Sequence, residues 1–211
     1  MPVHRGLGFK RVIDLLVSAL ALVITLPVML IASLLIVIED RGPVFYRQKR
    51  IGRSARPVEL LKLRSMKVNS ADPIALGQVR EQHPLVTHTG RVLRRFKIDE
   101  LPQLINILKG EMSLVGPRPA LPEHVQHYDD FQKRRLIMRP GLTGWAQVNG
   151  NTQLSWPERI VLDVWYLDHW SLWFDFKIMI KTVKVIFCYE SPNQQALLEA
   201  WKHADRTCRG R

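Results

Sequence analysis

"VIDLLVSALALVITLPVMLIASLLIVI", residues 12–38, decides how this chain is organised. Only Asp14 is charged in the run. A helix needs about 20 apolar residues to cross a bilayer core, and this stretch is longer than that. A signal-peptide core would be shorter and would end at a small-residue cleavage site, which does not follow here. Pro27 falls in the middle, where a proline removes a backbone donor and bends or breaks a helix. Arg5, Lys10 and Arg11 precede the run, and Arg41, Arg47, Lys49, Arg50 and Arg53 follow it. Basic flanks prefer the cytoplasmic side. A helix-break-helix that enters and leaves on one face satisfies both flanks, whereas a simple span puts one of them outside. The expectation is a re-entrant membrane segment over residues 1–40 that turns at Leu26–Pro27, with Thr25 offering its hydroxyl to a carbonyl that the proline frees. A kinked ordinary span is the competing reading.

Outside the apolar run the chain is strongly basic, with 31 Lys+Arg against 19 Asp+Glu and a net charge of +12. Such a balance calls for an anionic partner: a phosphorylated substrate, an anionic lipid surface or a nucleic acid. The membrane segment, and the lack of a nucleic-acid recognition motif, argue against nucleic acid. Cys188 and Cys208 fit no metal-ligand spacing and suggest no oxidised scaffold, so the compartment is reducing and faces the cytosol.

Residues 42–52 (GPVFYRQKRIG) and 57–66 (PVELLKLRSM) carry the alternation and aromatics of short strands, the makings of a hairpin. From Arg41 to Lys67 the charges are basic except for Glu59, as suits a lipid-headgroup surface or a phosphate-binding wall. Residues 69–78 (NSADPIALGQ) read as a mobile loop. Leu101, Leu104, Ile105 and Leu108 form one helical face, which Gly110 ends. Residues 123–138 read as a polar helix. Residues 157–187 read as helical and tryptophan-rich: Trp165, Tyr166, Trp170, Trp173 and Phe174 with Lys177, Lys181 and Lys184 suggest an amphipathic helix in the membrane interface, against the plainer reading of a core helix. The predicted fold is α/β, mostly helical: a membrane anchor (1–40), a catalytic domain at the membrane face containing a small sheet (41–190) and a loose tail (191–211).

Several groups could carry chemistry. Asp99 and Glu100 open a helix after Arg91, Arg94, Arg95 and Lys97. An Asp-Glu pair there is an N-cap as readily as a reactive centre. Cations and a helix N-terminus would hold Asp99 ionised, able to attack phosphorus, with Glu100 beside it as a divalent-cation ligand. Arg118, between Pro117 and Pro119, presents a fork aimed at low entropic cost and suited to phosphate. Lys62 and Arg64 share a strand face and could line a phosphate site, or blunt an edge strand. Gln147 and Asn149, in a glycine-rich segment, could read a base or a sugar. His124 and His127 lack the further ligands a zinc site needs and read as surface histidines.

In order, the basic start, the Pro-interrupted apolar run, "GPVFYRQKRIG", "LLKLRSM", "RRFKIDELPQLINILKGEMSLVGPRP" and "RPGLTGWAQVNG" resemble the bacterial sugar transferase family, the monotopic phosphoglycosyl transferases, in their minimal form without the multi-span region of larger relatives. The resemblance covers about residues 10–187. It implies transfer of a sugar-1-phosphate from a UDP-sugar to undecaprenyl phosphate at the cytosolic face of the inner membrane, with release of UMP and a requirement for Mg²⁺. It implies Asp99 as the nucleophile that carries the phosphosugar, Glu100 as its partner at the metal, and basic site positions at Arg64, Arg94, Arg118 and Arg139. The family often has Ser before the helix-breaking proline; this chain has Leu26. The identity of the sugar and the formation of a homodimer stay open. The rival in another class is a non-catalytic membrane-surface or scaffold protein of a polysaccharide export assembly, which needs the anchor and the basic groove but not the acids.

Overall fold

A computed structural model describes residues 6–68, 83–188 and 191–209. The loop expected at 69–78 and Arg5 lie outside the described residues. α1 (Leu7–Glu39) is one helix, 33 residues and therefore about 50 Å long. Its buried positions, Lys10, Asp14, Ser18, Met29, Ala32 and Ile36, recur every three or four residues apart from one wider step. Half-buried Ala21, Leu22 and Thr25 fill that step, so one stripe lies on the domain from end to end. The opposite face is apolar and bare, with Leu16, Val23 and Ile38 each about two-thirds exposed (68%, 70% and 69%).

Pro27 lies inside this helix on its exposed side, and the two helices expected on either side of it are a single element. The stripe grips the domain both before and after the proline, which keeps the axis helical where the ring alone would favour a break. Thr25 does not serve the carbonyl of Val23, the one that the proline frees. Its hydroxyl donates to Ala21, four residues back, at 2.7 Å.

The hairpin forms as the alternation predicts. β1 (Phe45–Ile51) pairs antiparallel with β2 (Pro57–Leu63), Tyr46 opposite Lys62 and Arg50 opposite Val58. α2 (His88–Arg95) begins where Thr87 accepts from the N–H of Gly90 at 2.9 Å. The Glu39 carboxylate also takes the free N–H groups of His88 and Thr89, which joins the end of α1 to the start of α2. A 3₁₀ turn (Ile98–Glu100) leads into α3 (Gln103–Lys109). Gly110 ends α3 at φ +87°, a left-handed position that favours glycine. β3 (Ser113–Val115) and β4 (Gly141–Thr143) form a two-stranded parallel pair. At their ends Gly116 and Gly141 approach so closely that a Cβ on Gly141 would lie 2.1 Å from the Gly116 nitrogen.

The polar helix expected over 123–138 is broken into two single turns, α4 (Pro122–Val125) and α5 (Asp130–Lys133), and a 3₁₀ turn (Arg134–Leu136). Asp129 restarts the chain with a capping box to Gln132, which stops helix propagation from α4. The tryptophan-rich stretch is two helices, α6 (Trp156–Asp168) and α7 (Leu172–Phe187), separated by a new cap at Ser171. Most of its aromatics pack inward: Trp145 stacks on Trp165 at 5.6 Å and meets Phe174 at 4.8 Å, and Tyr166 is fully buried. Of the aromatics expected at the interface, Trp173 is the one turned well outward. In the region expected to be a loose tail, α8 (Gln194–Arg209) brings Ala196, Leu197, Ala200 and Ala204 into the main core against α6.

α1 is fastened through buried polar groups. Lys10 donates to Asp175 at 2.5 Å, and the same carboxylate accepts from Tyr166 and Trp170. Asp14 accepts from the backbone of Leu114 at 3.0 Å. With three donors on its two oxygens, the buried carboxylate stays satisfied.

Candidate active site

Asp99 and Glu100 sit in the 3₁₀ turn between α2 and α3, after Lys97, which takes the left-handed conformation (φ 58°). Neither residue caps α3; Pro102 occupies that position. Asn106 locks this unit to the hairpin. Its side chain accepts from Leu61 N–H at 3.0 Å and donates to Glu59 O at 2.8 Å, continuing the sheet edge of β2 into α3. β2 carries Lys62, so the same staple sets the height of Lys62 against the acids.

Lys62 Nζ and Arg118 Nη2 each donate to Glu100 Oε1 at 3.0 Å. Burial alone would raise the Glu100 carboxyl, but these two cations outweigh it and hold Glu100 well below the usual carboxylate range. Asp99 goes the other way. Burial, and then the negative charge of Glu100, push its carboxyl from 3.8 to about 6, although Lys62, Arg94 and Lys97 pull it down. The expectation that Asp99 keeps a low pKa is thereby corrected: the turn buries it to 8% exposure, and burial together with the adjacent negative charge outweighs the cations around it.

Of the basic residues expected here, Lys62, Arg94 and Arg118 are brought to the acids. Arg94 also donates from Nε to Ser65 at 2.8 Å. Arg64 turns instead to the end of α1, where it donates to the Asp40 carbonyl and lies 3.8 Å from the Asp40 carboxylate. Arg139 sits at the far end of α3, where Nε donates to Gly110 O at 2.9 Å. Arg11 holds the carbonyls of Ile107 and Leu108 beside it, so two guanidiniums cap the negative end of that helix. Gln147 donates to Leu142 O and Asn149 to Trp145 O, while Asn193 donates to Asn149. Their amides fasten the loop and are not brought to the acids. His124 packs edge-on against Trp156.

Three contributors have no signature in the sequence. Arg135, 2% exposed, donates to Tyr128 OH at 2.8 Å, to the carboxylate of buried Asp163, and to the backbone carbonyl of Arg118 at 2.9 Å. It thereby fixes the loop that aims Arg118 at Glu100. Burial pushes the Asp163 carboxyl up to about 6 against the pull of Arg135. The third is Arg50 on β1.

Among the described residues no group of three or more His, Cys, Asp or Glu side chains gathers to hold a metal. Two adjacent carboxylates, with both cations on one oxygen of Glu100, offer hard oxygen donors of the kind Mg²⁺ takes when phosphates complete its shell. The donor set fits that ion.

The sequence profile described as "Bacterial sugar transferase" matches residues 5–189. The chain is 40% identical over 185 residues to "Uncharacterized sugar transferase EpsL" of Bacillus subtilis, covering 88% of this chain and 90% of that protein. It is 42% identical over 186 residues to the "UDP-glucose:undecaprenyl-phosphate glucose-1-phosphate transferase" of Caulobacter vibrioides (82% and 68%). It is 37% identical over 191 residues to the "Undecaprenyl-phosphate galactose phosphotransferase" of Salmonella typhimurium (84% and 40%). Against that last relative the chain spans less than half of the protein's length.

Proposed function

The chain belongs to the bacterial sugar transferase family, and from that premise we propose that it moves a sugar-1-phosphate from a UDP-sugar to undecaprenyl phosphate. A carboxylate oxygen of Asp99 attacks the β-phosphorus of the donor. The bond between that phosphorus and the bridging oxygen breaks, and UMP leaves with the electron pair. A phosphate oxygen of the lipid then attacks the same phosphorus and displaces Asp99, which regains its charge. The observation that carries this reading is the division of labour in the dyad. Glu100 absorbs Lys62 and Arg118, while Asp99 is left more basic and more nucleophilic yet ionised at neutral pH. Lys62, Arg94, Lys97 and Arg118 surround a point where donor, acceptor and nucleophile all bring negative charge. Asp99 and Glu100 would hold Mg²⁺, which when bound neutralises charge on the phosphate oxygens.

The proposed membrane arrangement draws its support from α1. Lys10 and Asp14 at one end, and Ile36 and Glu39 at the other, attach to the same domain. A helix crossing the bilayer would drag those polar contacts into hydrocarbon, at several kcal/mol for each unsatisfied group. This supports a monotopic chain on the cytosolic face, its bare apolar side in lipid. α7 adds a second apolar stripe: Trp173, Phe176, Ile180, Val183 and Phe187 are all exposed, with Lys177 and Lys184 alongside. Relatives of similar identity act on different sugars by name, glucose and galactose, so the donor is assigned only as a UDP-sugar.

The test is UMP release from UDP-sugars by the full chain in membranes, with and without undecaprenyl phosphate, together with mass spectrometry of Asp99 after donor alone. Lipid-dependent release and a phosphosugar adduct on Asp99 are expected. Release that survives Asp99→Asn would sink the assignment of the nucleophile, and a parent that releases no UMP would favour a scaffold.

A further inference from the structure

β1 carries Arg50 on the face that it shares with Lys62. Tyr46 pairs with Lys62 across the hairpin, and side chains alternate faces along a strand, so Tyr46, Gln48 and Arg50 project to the side on which Lys62 reaches Glu100. The end of the strand is tied to the arginine-bearing loop: Ile51 N–H donates to Ala120 O at 2.9 Å, two residues beyond Arg118. Arg50 is thereby brought beside Arg118 and Glu100. Burial, and then the like charge of Arg118, lower its guanidinium from 12.5 to about 10.

This guanidinium has nothing to hold. Its Nε is buried without a hydrogen-bond partner, and among the described residues no hydrogen bond or ion pair to Arg50 is formed. Lys62 and Arg118 each spend a donor on Glu100. Arg50 keeps its positive charge at neutral pH and offers five donors in a planar fork. A charge so placed is costly unless an acceptor arrives from outside. Glu100 and Glu123 act on Arg50 only through their charge, and a fold that sets a second guanidinium beside Arg118 without a hydrogen bond or ion pair to either is arranged for an incoming anion.

We propose that Arg50, with Arg118, binds the phosphate of the departing nucleotide. The inference rests on the phosphosugar reading above. In an in-line displacement the attacking and leaving oxygens lie on opposite sides of phosphorus. Arg94 and Lys97 act on Asp99, and Lys62 acts on both acids; Arg118 holds Glu100, and Arg50 lies near these two. With Asp99 attacking the β-phosphorus, the α-phosphate falls to Arg118 and Arg50, and two planar forks suit its oxygens.

The experiment uses the full chain in detergent with UMP as the probe, comparing Arg50→Met and Arg50→Lys with the parent by thermal shift and calorimetry. UMP should raise the melting temperature of the parent. Arg50→Met should weaken UMP at least tenfold and abolish most of that rise. Without ligand it should melt at the same temperature or higher, because the repulsion with Arg118 is gone. Arg50→Lys, which keeps the charge and loses the fork, should fall between. Unchanged UMP affinity in Arg50→Met, no UMP effect on the parent, or a ligand-free Arg50→Met that melts lower, as a structural cation would, each overturns the proposal. UMP binding needs neither lipid nor turnover. A failure of the Asp99 experiment therefore leaves this result standing, and an indifferent Arg50 leaves the Asp99 experiment untouched.

Discussion

Asp99 and Glu100 are neighbours in one 3₁₀ turn, and the protein drives their carboxyls in opposite directions. Burial and the charge of Glu100 raise Asp99 to about 6, while Lys62 and Arg118 hold Glu100 down. Two titratable groups pushed apart in this way take different roles at one pH. Glu100 stays ionised at every pH at which the protein works, and Asp99 becomes a full anion only above about 6.

Transfer activity should therefore rise with pH through an apparent pKa of about 6 and then level off. Glu100→Gln removes the negative charge that raises Asp99, so any residual activity of that variant should keep its shape with the acid limb moved to lower pH. An acid limb that stays in place in Glu100→Gln would separate the two carboxyls electrostatically and contradict the geometry.

Stability carries the same signature with a definite sign. Asp99 has a folded pKa above its ordinary 3.8, so the folded state binds its proton more tightly than the unfolded chain does. Its contribution is most favourable below about pH 4, declines as pH rises to about 6 and is flat beyond. Asp99→Asn should raise the melting temperature by a few degrees at pH 7–8, and the gain should vanish near pH 4. Thermal melts of parent and variant across that range decide it.

Arg135 acts through Arg118, whose backbone carbonyl it holds at 2.9 Å. Arg135→Lys keeps a cation opposite Asp163 but loses the fork that reaches both partners. The expected outcome is a folded protein with a higher KM for the donor. Asp163→Ala strands Arg135 in a site where both side chains are 1% exposed, and should cost about 3–5 kcal/mol. Denaturant melts of the two variants separate positioning from folding.

Much of this arrangement was legible in the sequence because it rests on local pattern. Alternation gave the hairpin and Gly110 gave the end of α3, although that helix buries Leu104 and Ile107 rather than the expected face of Leu101, Leu104, Ile105 and Leu108, and the "DE" pair amid arginines marked the candidate site. What the sequence hid depends on contacts distant along the chain. Arg139 reads like a ligand arginine until the end of α3 is seen beneath it. Gln147 and Asn149 read as free amides until loop carbonyls claim them. Arg50 looks like one more basic residue in a basic strand; only the bridge from Ile51 to Ala120 shows that it faces Arg118. The unbroken course of α1 past Pro27 has the same origin, since Met29, Ala32 and Ile36 are held by a domain that local sequence does not reveal.

That course gives the last prediction. Gly8 lies in the first turn of α1 and Arg41 just beyond its other end, both are exposed, and both ends of the helix fasten to one domain. Single cysteines at these two positions, in a Cys188→Ser, Cys208→Ser background, should react with an impermeant thiol reagent from the cytosolic side alone. A spanning helix would expose one of them to each side. The stripe on α7 makes a separate demand. Trp173→Glu with Ile180→Glu alters residues that are 62% and 57% exposed, so the melting temperature should hold, yet binding to anionic vesicles should weaken because burial of these side chains contributes about 1.5–3 kcal/mol each. If the double variant keeps its vesicle affinity, α7 faces solvent and α1 alone seats the domain on lipid.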